Sequence, residues 1–150
     1  MIETREAVNL AEQLAEFPIS RVFLGLQDLA IDNGYANIFK PLCDDTVYRI
    51  RIKTKSPFGF GGATLPHKGH PLPCRLLLSE LVRLNCTFTF LRRSFLKDVS
   101  ITDIPNGIHE IRAVIAELAK LPPAALEEKR KLFVRKIKEA DQYFDTLNRA

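Results

Sequence analysis

Two histidines and a cysteine stand in "SPFGFGGATLPHKGHPLPC", Ser56 to Cys74, which also holds four of the chain's seven glycines and four of its nine prolines. His67, His70 and Cys74 carry side chains that bind zinc, and their spacing fits a turn. A structural zinc site takes four ligands. The remaining candidates, Cys43, Cys86 and His109, lack a paired knuckle spacing, and the sequence has no CxxC. The two histidines therefore read as polar loop residues, and neither a metal nor a cofactor is expected. His70 and Arg75 stand close to Cys74 and would lower its thiol pKa in an open site, so the loop also suggests a small enzyme. Its glycines form no GxGxxG and lead into no Gly-Lys-Ser/Thr, so a phosphate cradle is not indicated.

His67-Lys68-Gly69-His70 resembles the HxGH signature of class I nucleotidyltransferases and aminoacyl-tRNA synthetases. The resemblance implies that His67, Gly69 and His70 would stabilise phosphates at a transferred group, with helix 73–85 following. It covers four residues. The strand expected before the motif is replaced by "FGFGGATLP", roughly 45 residues of helical sequence come before it, and no lysine-rich KMSKS-like motif stands downstream. The chain is therefore not assigned to that family. GxSxG, HExxH and EF-hand patterns are absent too. Asp44-Asp45, Asp98 and Asp103 read as turn and cap residues.

Charge points elsewhere. Residues 1–48 carry three bases and eight acids, 49–97 carry ten bases and one acid, and 98–150 carry nine of each. A segment as basic as 49–97 attracts polyanions if its side chains share a face. "VYRIRIKTK", 47–55, alternates Tyr48, Ile50 and Ile52 with Arg49, Arg51, Lys53 and Lys55, the period of a strand with one solvated face. Four like charges on that face either blunt a sheet edge or answer an anion. Arg92-Arg93 continues the basic run. Phe58 and Phe60 could stack on unpaired bases or anchor the loop.

These sites need elements to hold them. Residues 3–17 place Ala7, Leu10, Ala11, Leu14 and Phe17 at helical spacing, and Pro18 ends that run. "RVFLGLQDLAID" reads as a second helix, capped by Ser20 and stopped at Asn33-Gly34, with Gly25 costing it roughly 1 kcal/mol relative to Ala. A mostly apolar helix follows at 73–85. "CTFTFL" alternates as a second strand candidate. Two helices close the chain, from about 106 to 120 and from 124 onward, broken by Pro122-Pro123. Phe133, Ile137, Ala140, Phe144 and Leu147 form a seam on the last. Its partner is either helix 107–120 in a hairpin or a second copy of the chain.

The expected architecture is one mainly α-helical domain, 1–150, with a small β element at about 47–53, a further candidate at 86–91, and a C-terminal helical hairpin. Three unpaired-looking cysteines point to a reducing, cytoplasmic-type compartment. No apolar run reaches the roughly 20 residues that cross a bilayer. The first functional reading is a non-enzymatic nucleic-acid-associated protein, with DNA or RNA on Arg49, Arg51, Lys53, Lys55, Phe58, Phe60, Arg92 and Arg93. The alternative is an assembly subunit that uses the C-terminal seam to meet a protein partner or form a homodimer.

Overall fold

The computed structural model describes residues 1–149, with side chains through Thr146. It is mainly α-helical with a small parallel β element. In chain order the elements are α1 (Arg5–Asn9), α2 (Ala11–Leu14), β1 (Val22–Leu24), α3 (Leu26–Asp32), α4 (Thr46–Lys53), β2 (Phe58–Phe60), α5 (Cys74–Arg83), α6 (Phe95–Asp98), α7 (Ile104–Leu118), α8 (Pro123–Glu139) and α9 (Asp141–Arg149). Single 3-10 turns lie at Lys40–Leu42 and Ile101–Asp103. No helix among the described residues is long and apolar enough to cross a membrane.

β1 and β2 run parallel, with Val22 opposite Phe58 and Leu24 opposite Phe60. Each has one further parallel neighbour, reduced to isolated bridges. Ile2 pairs with Leu24 on one side, and Gly59 with Phe88 and Ala63 with Leu91 on the other. The Ile2 amide donates to the Phe23 carbonyl at 2.9 Å, and the Thr87 amide donates to that of Phe58 at 2.9 Å. Four extended segments thus lie side by side in sequence order, separated by helical connections, as parallel pairing requires. Val22, Leu24, Phe58 and Phe60 enter the same hydrophobic cluster as Leu77 and Leu78 of α5 and Phe133 and Ile137 of α8.

The expected strand at 47–53 is helix α4. A strand would have buried Tyr48, Ile50 and Ile52 together, but Tyr48 is 46% and Ile52 61% exposed. Val47, Ile50 and Thr54 are buried instead, at three-four spacing. The Asp44 carboxylate, one residue before the Asp45 N-cap, accepts from the Thr46 amide at 2.9 Å. The β element sits at 22–24 and 58–60, with 86–91 contributing its outer bridges. The helix expected over 21–32 is likewise divided, because β1 occupies its first part and α3 begins only after Gly25. Its expected stop holds: the Asn33 side chain bonds the Leu29 carbonyl and Gly34 takes φ +70°.

α7 and α8 follow each other across residues 119–122 as the C-terminal helical pair, and both rest on α5. The seam of α8 therefore faces chiefly α5, not helix 107–120. Arg130 interrupts the apolar repeat because Glu80 of α5 answers it. Glu80 is buried and lies 2.9 Å from both Arg83 and Arg130, and Arg130 also donates to the Leu42 carbonyl. Phe133, Ile137 and Ala140 are buried within the chain, and Phe144 packs edge-on to Phe39. The Leu147 side chain lies outside the described residues.

Candidate functional site

Ligands of parallel sheets bind beyond the carboxyl ends of the strands, where the chain leaves the sheet and exposes loop groups. In this protein those ends converge. Glu3 follows Ile2, Gly25 to Asp28 follow β1, Gly61-Gly62 follow β2, and Arg92 follows the 88–91 bridges. All of them line one hollow of about 240 Å³, whose apolar walls are Phe23, Leu26, Ile38 and Phe39.

Each polar group is there for a local reason. Arg92 is fixed by its backbone, whose amide donates to the Ala63 carbonyl at 2.8 Å. Its Nε is buried and has no hydrogen-bond partner among the described residues, and the same holds for the Ser94 hydroxyl two residues on. Buried polar groups rarely stay unpaired, because desolvation is costly. Glu3 lies across Gly25. A Cβ on Gly25 would stand 2.6 Å from the Glu3 Cγ and Oε1, so glycine makes room for the carboxylate. Glu3, Gln27 and Asp28 add side-chain oxygens to the same lining. Two carboxylates are of the kind that hold Mg²⁺ together with a ligand's own oxygens. Among the described residues no group of three or more His, Cys, Asp and Glu gathers as a metal site.

The residues that the sequence singles out are used differently. Phe58 and Phe60 are fully buried, so neither ring presents a face to a base. Arg51 folds back on the protein: its Nε donates to the Leu84 carbonyl at 2.9 Å and its Nη1 to that of Thr54 at 3.0 Å, closing the ends of α5 and α4. Lys53 pairs with Glu12 at 2.7 Å. Arg49 is exposed at a separate hollow of about 200 Å³ beside Arg5, Tyr35 and Asp44. Lys55 and Arg93 are exposed. The helical turn of α4 places Arg49 and Lys53 on one side and Arg51 on another, so the four bases do not form one row.

The Ser56–Cys74 loop supplies β2 and then connects to α5. His67 meets Glu110 of α7 at 3.1 Å, and His70 packs edge-on to Tyr143 of α9. Cys74 is buried, donates to the Thr64 carbonyl at 3.1 Å and accepts from its amide at 3.2 Å. Burial pushes its thiol pKa up, against the opposing pull of the Thr64 amide and of Arg92. The three residues serve three separate contacts.

Sequence reasoning passed over Glu3, Gln27, Asp28 and the Gly61-Gly62 pair. Their signal is positional: "IET", "VFLGLQD", "FGFGG" and "FTFLRR" each run from a few apolar, β-favouring residues into glycine or charge. No family model matches the chain, and comparisons with curated proteins and with solved structures found no match.

Proposed function

We propose that this chain binds a small organic anion, a carboxylate or phosphate ester of a few carbons, in the hollow at the carboxyl ends of its parallel segments. The observation that supports the reading is Arg92 in the lining of a largely apolar pocket built from all four segment ends. Guanidinium pairs with planar oxyanions through two parallel bonds and is the side chain suited to such a ligand. Phe23, Leu26 and Phe39 take its carbon skeleton. Glu3, Gln27 and Asp28 accept from its hydroxyl or amine groups, or hold a divalent cation that bridges to it.

Thermal unfolding against a panel of small mono- and dicarboxylates and sugar phosphates, with and without Mg²⁺, tests this. At a hundredfold excess over Kd a true ligand stabilises by about 2.7 kcal/mol. Arg92→Met should remove that shift while leaving the unliganded midpoint nearly unchanged. No stabilisation by any member of the panel contradicts the reading.

A second reading keeps the basic segment as a nucleic-acid surface. It rests on exposed Arg49, Lys55 and Arg93, and it is phosphate-directed only, because Phe58 and Phe60 are buried. Such binding weakens by about 0.7 to 0.9 log units per contact for each tenfold rise in salt.

A further inference from the structure

The small sheet has helices on one face. Val22, Leu24, Phe58 and Phe60 point into them. The opposite face carries Phe23 and Phe88 on either side of Gly59, with Phe90 beside them. Ring centroids lie 4.3 Å apart for Phe23–Phe90 and 6.3 Å for Phe23–Phe88. Among the described residues, the hydrophobic cluster beneath the helices includes neither Phe23 nor Phe88, and Phe90 is 52% exposed. Gly59 is what lets the segments come so close, since a Cβ there would meet the Phe88 carbonyl oxygen at 2.1 Å. Parallel sheets are almost always covered on both faces, because their crossovers put helices there. On this face Phe90 is exposed, while Phe23 and Phe88 are half-buried and the Arg21 guanidinium lies over the Phe88 ring, 5.7 Å from its centroid.

The two edges belong to sequence stretches of opposite charge. The segments at Ile2 and β1 come from the first 48 residues, with eight acids against three bases; β2 and the 87–91 segment come from 49–97, with ten bases against one acid. Some of that charge is paired internally, as in Lys53–Glu12 and Arg83–Glu80. Glu6 on the acidic side and Arg93 and Lys97 on the basic side are exposed, and among the described residues none of them forms an ion pair.

We infer that a second copy of this chain covers the Phe23–Phe88–Phe90 face, in a two-fold pairing that sets the acidic edge of each copy against the basic edge of the other. A two-fold contact is self-complementary, so each copy offers the same aromatic face and the opposite edge. It meets both needs in one operation. The pair supplies two sets of four parallel segments, and about eight parallel strands with helices outside is the count at which such a sheet closes. The inference does not rest on the anion pocket.

Sedimentation equilibrium of the chain, from micromolar to submillimolar concentration and at low and high salt, tests it. The wild type should show twice the 17.0 kDa chain mass. Phe90→Asp, on an exposed side chain, should give a monomer with unchanged circular dichroism. Phe90→Thr, suited to an extended segment, serves the same purpose if the aspartate variant does not fold. Arg93→Glu should raise the dimer Kd by about tenfold or more at low salt, and less at high salt. A wild-type monomer at every concentration overturns the inference and leaves the face to a different protein. A dimer untouched by Phe90→Asp or Phe90→Thr overturns it too, because the contact then lies elsewhere.

Discussion

Arg92 and Glu80 show how one charged side chain is read by its surroundings. Both belong to the basic middle of the chain or answer it, but Glu80 is saturated by two guanidinium groups and Arg92 has a buried nitrogen without a partner among the described residues. Glu80→Ala should destabilise the fold by roughly 3–5 kcal/mol in urea unfolding, since it removes the buried carboxylate shared by Arg83 and Arg130 and leaves them only Glu127 and backbone carbonyls. A loss below about 1 kcal/mol would show that the triad is solvated. The cysteines give a pH dependence. Burial pushes Cys43 up to about 11 and Cys86 up to about 12, both from an ordinary 9.0. The folded state thus holds these protons after the unfolded chain has released them. Their contribution is fully present below pH 9 and is lost progressively as pH rises toward 11 and 12. The double variant Cys43→Ala with Cys86→Ala should flatten that alkaline loss in unfolding titrations; an equal loss in variant and wild type contradicts the assignment. No residue type alone revealed Arg92 as distinct from Arg93. What separates them is a backbone bond to Ala63 that turns one side chain inward, and only the pairing of two distant segments creates that bond.

At the scale of elements, α5, α7 and α8 were legible because each buries a stripe long enough for three-four spacing to repeat. α4 was not. Its eight residues satisfy both periods at Ile50, and the alternation of Arg and Lys with Tyr48 and Ile52 imitates a strand. What decides is which partners lie beneath it: Val47 and Ile50 meet the core and Ile52 meets solvent. Ile52→Ala should therefore change stability by less than about 0.5 kcal/mol, while Ile50→Ala costs about 2–5 kcal/mol. Equal losses at both positions would restore the strand. The three-residue strands were illegible for the opposite reason, since a triplet is too short to show any period. "VFL" reads equally well as the first turn of a helix until Gly25 and its approach to Glu3 are seen. On α8, Ile137→Ala should cost about 2–5 kcal/mol because the side chain is buried against the chain itself. A folded variant with unchanged stability would place that seam outside the core.

For the whole molecule, the mainly helical class with a small β element could be read from the sequence, but the order of the extended segments could not. That order is the step from fold to site. It gathers Glu3, Gly25, Gln27, Gly62 and Arg92, separated by as much as most of the chain's first two thirds, at one end of one sheet. Linear charge blocks led toward polyanions, yet Arg51 and Lys53 are spent on the protein's own carbonyls and carboxylate. Weak duplex binding at low salt that disappears at moderate salt remains the signature expected of Arg49, Lys55 and Arg93, with no preference for single strands. The anion pocket is tested most directly by backbone amide chemical shifts, recorded while a stabilising small carboxylate or phosphate ester is titrated into the isotopically labelled protein. The account predicts saturable shifts at all four segment ends together, at Glu3, Gln27, Gly62 and Arg92, and their loss in Arg92→Met. Shifts confined to His67–Cys74, or none at any segment end, would contradict it.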